Sequence, residues 1–284
     1  MKKVLIIGSK GMAGHVIYNH FKENTDFTVV DIARGSDGHL PTHQIDVTNL
    51  ASLTDVLKKE MPDYVINCIG ILNRDAEDNP EKSILLNSYF PHFLAKNGKA
   101  LNFRLIHIST DCVFDGKKGG YTEDSFKDGK GFYAETKALG EVTYANNLTI
   151  RTSIIGPELK ENGIGLFHWF MNQQGKIKGY TNAYWTGITT VELAKVIVAA
   201  ISEGITGLHH VVNNEKISKY NLVNLFKEIF DKTDIEVEPY DDYRVDKSLI
   251  KTNNSFSYTV PSYRQMLHEM KVWIDEKHAL YNFY

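Results

Sequence analysis

A tyrosine and a lysine four positions apart, Tyr133 and Lys137, are the residues of this sequence best suited to proton transfer. Residues i and i+4 of a helix are neighbours on one face. An ordinary phenol titrates near ~10, so protonating an alkoxide at neutral pH requires a pKa lowered by about 3 units, or roughly 4 kcal/mol. A nearby ammonium supplies part of that shift. Tyrosine–lysine pairs of this spacing also occur on ordinary amphipathic surfaces. The surrounding sequence therefore has to show whether this pair transfers protons or only forms part of a helix surface.

Polar residues stand at the carboxyl end of a predicted buried strand at 105–109. They are Ser109, Thr110 and Asp111. In a parallel sheet, functional sites form at the carboxyl ends of strands. A threonine hydroxyl at such a place can donate a hydrogen bond to an oxygen that gains negative charge. We therefore expect Thr110 to act together with Tyr133 and Lys137.

Three glycines at equal spacing, Gly8, Gly11 and Gly14, lie between the first predicted strand and the first predicted helix. The N–H groups at a helix N-terminus hold phosphate where no Cβ blocks its approach. The spacing differs from the Gly-x-Gly-x-x-Gly dinucleotide motif, and glycines also serve ordinary strand-to-helix turns. The strand–loop–helix context favours a pyrophosphate-binding loop, and it adds Lys10 and Met12 to the candidate contacts.

An acidic residue ends the second predicted strand. Asp31 stands where a carboxylate accepts hydrogen bonds from an adenosine ribose, as in NADH binding. The alternative for Asp31 is a residue that caps a turn. Arg34, three positions later, suits the 2′-phosphate of NADPH, so the sequence leaves the two cofactors open. We further expect Asp46 and Val47 at the adenine edge, although Asp46 equally suits a turn.

The elements that position these residues alternate between short apolar runs and amphipathic helices. Apolar runs predict strands at 4–7, 27–30, 64–69, 105–109 and 149–151. Helical spacing predicts helices at 11–21, 48–61, 80–96 and 133–146. Strands separated by helix-length connections predict a parallel sheet covered on both faces. The predicted fold class is therefore α/β, a Rossmann-type doubly wound parallel sheet.

The second half of the chain follows a different pattern. Helices are predicted at 165–174, 191–202, 220–230 and 261–274, and short strands at 209–212 and 235–237. Pro239 is expected to cap the last strand, and the polar stretch 240–257 to be a loop. No flexible linker divides the halves. We expect a dinucleotide-binding domain with the catalytic residues over 1–156, and a smaller α/β substrate lobe packed on it over 157–284.

Length and composition restrict the class of protein. The chain has 284 residues, of which 42% are hydrophobic and 24% charged, and its net charge is −3. This balance argues against a general binder of nucleic acid or of anionic membranes. No apolar stretch reaches the roughly 18 residues that span a bilayer. Cys68 and Cys112 have no metal or redox spacing. We expect a cytoplasmic protein without a metal site.

The ordered motifs resemble those of the extended short-chain dehydrogenase/reductases, and within that family the dTDP-4-dehydrorhamnose reductase group. The resemblance rests on the glycine loop, Asn87, the Tyr133–Lys137 pair and the segments 46–48, 62–67, 109–116, 140–141 and 151–153. The run Ser-Thr-Asp-Cys-Val-Phe-Asp-Gly at 109–116 is its most specific part, and the match is thinner beyond residue 156. The resemblance implies reduction of the C4 ketone of a nucleotide-linked 4-keto-6-deoxy sugar by NADPH or NADH.

The same resemblance implies roles for individual residues. The triad corresponds to Thr110, Tyr133 and Lys137, and Cys68 and Gly70 border the nicotinamide. The candidates for binding the nucleotide-sugar, which members of the family hold in the C-terminal lobe, are Asp111, Val113, Arg151, Trp185 and Arg244. An arginine suits a diphosphate. Trp185 equally suits packing, and Arg244 a solvated loop.

Departures from the family pattern leave some points open. Residues 68–74 lack the usual alanine pair with Tyr-Thr, so the product is a rhamnose-type sugar or a 2-acetamido-6-deoxy sugar on UDP. Val16 stands where some members have an acid that binds a metal at a dimer interface. We therefore carry over no metal, while a homodimer stays compatible with the sequence. The segment 241–257 also lacks the usual Arg-Pro pair.

Two different functions share this scaffold with reduction. A non-catalytic regulatory subunit would keep the dinucleotide-binding fold, but the intact Thr110, Tyr133 and Lys137 argue against it. An epimerase or a dehydratase is the second possibility, since a dehydratase needs an acid beside the threonine and Asp111 supplies a carboxylate. Reductases with the same Ser-Thr-Asp run favour reduction. The expected product is a deoxysugar for surface polysaccharide.

Overall fold

A computed structural model describes residues 1–35, 39–213, 215–281 and 284. The strands in these ranges are β1 (Lys3–Ile7), β2 (Thr28–Ala33), β3 (His43–Gln44), β4 (Tyr64–Asn67), β5 (Arg104–Thr110), β6 (Leu148–Thr152), β7 (Ile154–Ile155), β8 (Gly175–Trp185), β9 (Ile188–Thr189), β10 (Gly207–His210), β11 (Ile217–Ser218) and β12 (Ile235–Asp246). The α-helices are α1 (Met12–Asn24), α2 (Leu50–Glu60), α3 (Asn73–Asp78), α4 (Pro80–Ser83), α5 (Phe90–Leu101), α6 (Phe132–Leu139), α7 (Leu166–Met171), α8 (Thr190–Ser202), α9 (Lys219–Ile229) and α10 (Tyr263–Glu276). A π-helix, Ile84–Tyr89, joins α4 to α5.

The main sheet is parallel throughout. Among the described residues it has seven strands in the order β10-β6-β5-β4-β1-β2-β3. The chain turns back beside β1, which pairs with β2 on one side and with β4 on the other. Crevices at such a switch point are the usual ligand sites of doubly wound sheets. The predicted Rossmann-type α/β fold is confirmed.

Two apolar cores cover the faces of this sheet. On one face Val4 packs in a cluster with Ile17 of α1 and residues of α8. On the other face Leu5 packs with Leu53 of α2 and Phe90 of α5. Successive side chains of a strand point to opposite faces, so a strand buried on both faces is apolar along its whole length. The two cores fix the strand ends from which the site residues project.

The predicted helix at 48–61 begins later than expected. Its first residue is Leu50, and Asn49 is the N-cap because its side chain accepts a hydrogen bond from the Ser52 N–H. Thr48 is held instead by Asp46, whose Oδ1 accepts from the Thr48 N–H at 2.9 Å and from its hydroxyl at 2.8 Å. The predicted start of this helix at residue 48 is therefore wrong.

The second sheet differs most from the sequence prediction. It has the order β11-β8-β12, and β8 was not predicted at all. The predicted strand at 235–237 continues through Pro239 to Asp246, so the prediction of a loop from residue 240 is wrong for its first residues. Because β12 lies at the edge of this sheet, a proline without an N–H is tolerated there. Its pairing with β8 shifts register between Tyr240 and Arg244.

The two halves of the chain share one core. One edge strand of the main sheet, β10, comes from the second half and pairs with β6, and α8 packs on the same cluster as α1. The remaining second-half elements build the smaller sheet with α9 and α10. The division between 1–156 and 157–284 stays a prediction. In the described ranges, every helix is too short or too polar to cross a lipid bilayer.

Candidate active site

A cavity of about 500 Å³ opens at the carboxyl edge of the main sheet. Its walls are the glycine loop, the segment after β4, the end of β5, one face of α6 and the segment 152–166. Thr110, Tyr133 and Lys137 all line it, together with Gly11. The structure therefore brings the three predicted catalytic side chains together beside the predicted phosphate-binding loop.

Lys137 is buried in the wall of this cavity, with only 4% of its surface exposed. Its Nζ donates a hydrogen bond to the Ile108 carbonyl at 2.7 Å, which holds the ammonium against β5. Burial lowers the pKa of Lys137 to about 8, although Glu141 favours the charged form. The lysine is therefore a cation at neutral pH that loses its charge in mildly alkaline solution.

Thr110 and Tyr133 face each other across the end of β5. The Thr110 hydroxyl accepts a hydrogen bond from the Cys112 N–H at 3.1 Å and donates to Asp111 Oδ1 at 3.2 Å. Burial raises the pKa of the Tyr133 phenol above its ordinary value, and the Thr110 hydroxyl counters part of this rise. The predicted downward shift is therefore absent from this structure. Tyr133 is a protonated phenol at neutral pH, as a proton donor has to be.

Helix α6, which carries Tyr133 and Lys137, is shorter than predicted. It ends at Leu139 rather than at residue 146, with Gly140 as its C-cap. A Cβ on Gly140 would lie 1.8 Å from the Asn87 carbonyl oxygen. Only glycine therefore lets the end of α6 pack this closely against the π-helix.

The glycine loop has the geometry of a phosphate cradle. Gly8 has a φ of +89°, which residues with a side chain rarely adopt. A Cβ on Gly14 would lie 2.1 Å from the Gly8 carbonyl oxygen, so α1 can approach the loop only with glycine there. Gly11 is the N-cap of α1, and Lys10 and Met12 line the cavity beside it. The free N–H groups of the first turn fit a dinucleotide pyrophosphate.

Cys68 and Gly70, predicted to border the nicotinamide, line the same cavity. Burial raises the pKa of the Cys68 thiol to about 12, so it is uncharged. A Cβ on Gly70 would lie 4.0 Å from Lys137 Nζ. The segment after β4 therefore passes directly beside Lys137.

The structure places Asp31 in the interior and not in the cavity. Its Oδ2 accepts hydrogen bonds from the Ser9 hydroxyl at 2.5 Å and from His39 Nε2 at 2.9 Å. Its Oδ1 accepts from the Thr42 N–H at 2.8 Å and from the Thr42 hydroxyl at 2.9 Å. Burial raises the pKa of Asp31, but these bonds lower it more. The fully buried carboxylate fastens the glycine loop to residues 39–42, so the prediction that it binds ribose is wrong for this arrangement.

The other predicted adenosine contacts also lie outside the cavity lining. Arg34 is exposed, with Nη1 at 4.0 Å from Asp46 Oδ2. Asp46 caps Thr48, as described above, which is the turn role left open in the sequence. Val47 is 5% exposed and belongs to the core beneath α2. Among the described residues predicted to bind the adenosine and pyrophosphate parts of the cofactor, those that line the cavity belong to the glycine loop: Lys10, Gly11 and Met12.

Arg151 forms an internal ion pair. Its Nε and Nη2 donate to the two Glu141 carboxylate oxygens at 2.8 and 2.7 Å. Its Nη1 donates to His210 Nε2 at 2.8 Å, and the guanidinium lies 5.1 Å from the centre of the Phe114 ring. With 1% of its surface exposed, Arg151 does not reach the cavity. Its prediction as a diphosphate ligand is therefore wrong.

Asp111 alone among the predicted substrate contacts lines the cavity. Burial raises the pKa of its carboxyl. Val113 is 1% exposed in a core cluster with Phe114, and Trp185 is 2% exposed in the main core. Both are packing residues, which for Trp185 is the alternative left open in the sequence. Arg244 is exposed on the edge strand β12.

Asn87 belongs to the sequence motifs, which predict no role for it. Its side chain accepts a hydrogen bond from the Ile71 N–H at 2.8 Å and donates to the Ile71 carbonyl at 2.9 Å. It also donates to the Thr136 hydroxyl at 3.1 Å. Asn87 thereby joins the segment after β4 to α6. Its signal in the sequence is a lone amide within an apolar helical pattern.

Two further lysines were missed. Asp111 is acted on by the charges of Lys247 and Lys219, which come from the second half of the chain. Burial lowers the pKa of Lys219 to about 8, while Asp111 favours its charged form. Nothing in their local sequence marks these lysines. In the described ranges, no three His, Cys, Asp or Glu side chains are grouped to hold a metal ion.

Comparisons with known proteins agree with this geometry. A family profile described as the RmlD substrate binding domain matches residues 1–274. The β subunit of methionine adenosyltransferase 2 from Xenopus tropicalis is 24% identical over 258 residues, covering 85% of this chain and 76% of that protein.

Two solved structures extend these comparisons. A hypothetical dTDP-4-dehydrorhamnose reductase from Sulfolobus tokodaii is 26% identical and superposes with a TM-score of 0.78, over 93% of this chain and 98% of that one. The dTDP-4-dehydrorhamnose reductase of Bacillus anthracis, solved in complex with NADP, is 20% identical with a TM-score of 0.81, over 96% of this chain and 99% of that one. At 20% identity, the second likeness is one of fold.

Proposed function

The chain belongs to the RmlD substrate-binding domain family of extended short-chain dehydrogenases/reductases, which bind nicotinamide dinucleotides, and on this premise we propose that it reduces a nucleotide-linked keto sugar. The observation that carries the proposal is the meeting of Thr110, Tyr133 and Lys137 with the glycine loop in one cavity. A carbonyl placed between the phenol and the cradle has a proton donor on one side and a dinucleotide site on the other.

Each side chain has a separate task in this reaction. The Tyr133 phenol, protonated at neutral pH, gives its proton to the carbonyl oxygen as that oxygen gains charge. The Thr110 hydroxyl orients the same oxygen by a hydrogen bond. The Lys137 ammonium, held by the Ile108 carbonyl, stabilises the phenolate left behind. A bound NADPH or NADH supplies the reducing equivalents.

The proposed substrate is a 4-keto-6-deoxy sugar on dTDP or UDP, reduced at its C4 ketone. The function named for the Sulfolobus tokodaii protein, which is 26% identical, supports this class. Use of the product in surface polysaccharide, a cytoplasmic location and a homodimer are further parts of the proposal. Because Arg151 is buried, the candidate cations for a diphosphate are Lys10 and Lys160, which line the cavity, and Lys219 and Lys247, whose charges act on Asp111.

A regulatory subunit is the second candidate function. The observation that favours it is the 24% identity to the β subunit of methionine adenosyltransferase 2, a component of a larger enzyme. Such a subunit would bind the dinucleotide without turnover. The three intact catalytic side chains in the cavity favour the reductase.

The decisive experiment incubates the purified protein with NADPH or NADH and a panel of dTDP- and UDP-4-keto-6-deoxy sugars, and follows the absorbance of the reduced nicotinamide. Turnover that is lost in Tyr133→Phe supports the reductase. A protein that binds dinucleotide, reduces none of the panel and raises the activity of a methionine adenosyltransferase catalytic chain would support the regulatory subunit. Epimerisation or dehydration of a sugar without net consumption of NADPH would support an epimerase or a dehydratase.

A further inference from the structure

Two tyrosines near the carboxyl end of the chain, Tyr281 and Tyr284, reach back to the cofactor cavity. They are the C-terminal tyrosine pair, and their ring centres lie 6.0 Å apart. Tyr281 is 2% exposed. Its hydroxyl lies 2.8 Å from His15 Nε2 and 3.0 Å from Trp273 Nε1. His15 belongs to the first turns of α1, directly after the glycine loop.

The hydrogen bonds around His15 have only one consistent direction. The Gly11 carbonyl can only accept, so His15 Nδ1, 2.9 Å away, carries the proton and donates to it. Burial lowers the pKa of His15 to about 4, so the ring is neutral and Nε2 accepts. The Tyr281 hydroxyl must then donate to Nε2 and accept from Trp273 Nε1. The chain of donors therefore ends on the carbonyl of the central glycine of the phosphate cradle.

The second tyrosine reaches the opposite wall of the cavity. The Tyr284 hydroxyl accepts a hydrogen bond from the Glu158 N–H at 2.8 Å and lies 2.9 Å from His168 Nδ1. The Glu158 carboxylate in turn accepts from the Gly165 N–H at 2.6 Å. Glu158 and Gly165 both line the cavity.

The two walls meet over the start of α1. A Cβ on Gly165 would lie 3.2 Å from Met12 Sδ and 2.8 Å from Glu158 Oε1. The segment 158–165 therefore lies against the residue that follows the central glycine. A displacement of either wall changes the width of the space in which a pyrophosphate would lie.

We propose that the C-terminal tyrosine pair positions both walls of the dinucleotide site, Tyr281 acting through His15 on the glycine loop and Tyr284 through Glu158 on the segment 158–165. The tyrosines are positioning residues, because neither touches the reacting atoms. This inference rests on the proposed function only in that a dinucleotide occupies the cavity. It makes dinucleotide affinity depend on residues about 270 positions away in sequence from the glycine loop.

The test measures NADPH and NADH dissociation constants by fluorescence titration of the full chain, with thermal unfolding in parallel. Tyr281→Phe removes one hydroxyl and leaves His15 Nε2 without its donor. We expect its NADPH dissociation constant to rise about five- to tenfold. The matched control is Tyr258→Phe, which removes the hydroxyl that donates to Glu192 Oε1 at 2.7 Å outside the cavity. The control is expected to lower the unfolding temperature similarly and to change the dissociation constant less than twofold.

A separate measurement tests how each tyrosine is connected to its wall of the cavity. In a His15→Leu background, Tyr281→Phe should weaken NADPH no further, and additive effects would overturn the route through His15. Tyr284→Phe should speed hydrogen exchange in a peptide covering 158–166, and unchanged exchange there would overturn the second arm. Equal dissociation constants for wild type, Tyr281→Phe and Tyr258→Phe would overturn the proposal. A wild-type protein that binds neither dinucleotide would instead refute the proposed function.

Discussion

The ion pair between Arg151 and Glu141 gives a prediction that separates folding from substrate binding. The substitution is Arg151→Met, which keeps much of the side-chain length and removes the charge. It leaves both Glu141 oxygens without the donors now at 2.8 and 2.7 Å. It also leaves His210 Nε2 without the donor at 2.8 Å. Both partners are buried, so water cannot replace the lost contacts.

The cost follows from the burial of the remaining charge. Removing one partner of a buried pair typically costs ~3–5 kcal/mol, because the other charge is left uncompensated. Glu141 keeps the Ser109 hydroxyl at 2.7 Å and Lys127 Nζ at 3.1 Å, which favours the lower end of that range. We expect a loss of about 3 kcal/mol in the free energy of unfolding at neutral pH. With a urea m value of about 3 kcal/mol/M, the midpoint falls by about 1 M.

The pH dependence has a defined sign. Burial raises the pKa of Glu141, but the hydrogen bonds and the charge of Arg151 lower it by a larger amount. The pKa of Glu141 in the folded protein therefore lies below the ordinary 4.5. A carboxylate with a lowered folded-state pKa stabilises the protein above its unfolded value, and this contribution is lost as the pH falls through the folded value. Without Arg151, burial raises the folded-state pKa of Glu141. The difference between wild type and Arg151→Met should therefore be largest at neutral pH, begin to shrink above 4.5 as Glu141 of the variant takes up a proton, and be smallest below the folded-state pKa of the wild type.

The assay is urea unfolding of the wild type, Arg151→Met and a double variant, with the KM for the keto sugar measured under native conditions. The double variant Arg151→Met with Glu141→Gln removes both charges of this pair and should recover part of the lost stability. The KM of folded Arg151→Met should stay within about twofold of the wild-type value. An unchanged urea midpoint combined with a tenfold higher KM would refute the internal role and restore Arg151 as a ligand.

Three further predictions concern the cavity itself. Tyr133→Phe should lower kcat about 10²- to 10⁴-fold with an unchanged NADPH dissociation constant, and parental turnover would exclude Tyr133 as the proton donor. Asp31→Asn should cost about 1–3 kcal/mol in urea unfolding while leaving the ratio of NADPH to NADH dissociation constants within twofold. A shifted ratio would return Asp31 to the ribose. Because the Lys137 ammonium deprotonates near pH 8, kcat/KM should decline above that pH. An alkaline limb that persists in Lys137→Met would have another cause.

The elements that could be predicted from the sequence are those in which burial alone determines the spacing of the apolar residues. β1 is apolar from Val4 to Ile7 because both of its faces are covered, and such a run has few other interpretations. α1 carries a one-sided apolar stripe because one face packs on the sheet. These elements, with the glycines that join them, are also the ones that build the phosphate cradle. That region could therefore be predicted from the sequence.

The second sheet shows where this reasoning fails. Along Gly175–Trp185 buried residues alternate with more exposed ones, because one face of β8 packs on α9 and the other is largely solvated. The buried positions include Gly179 and the exposed ones Tyr180, so the hydrophobicity of the sequence does not follow this alternation. β12 is mostly exposed, and its residues Tyr240–Asp246 carry four charges. Its extended shape comes from parallel pairing with β8. Long-range pairing of this kind leaves no local pattern of hydrophobicity.

Charged residues at strand ends were the main error in the site. Sequence reasoning places a charge at the carboxyl end of a strand, but the pleat decides which face its side chain takes. Arg151 is in register with Ser109, so both project to the same face, where Glu141 binds them. The Asp31 carboxylate likewise accepts its hydrogen bonds from groups inside the protein, which leaves it unavailable to a ligand. The position of a charged residue along a strand can therefore be predicted from the sequence, whereas the group with which its side chain pairs cannot.

The pairing of Arg151 and Asp31 with other groups of the protein determines how the cavity must bind an anion. With Arg151 and Asp31 engaged elsewhere, the charged side chains among the described lining residues are Lys10, Asp111, Lys137, Glu158 and Lys160. Three cations against two acids give only a weak net attraction, which is further reduced because Lys137 is reserved for the phenolate. Pyrophosphate recognition must then depend on the N–H groups at the start of α1. Such groups act only at the correct distance, so affinity depends on how firmly the glycine loop is held, by Asp31 through Ser9 and by His15 through Gly11.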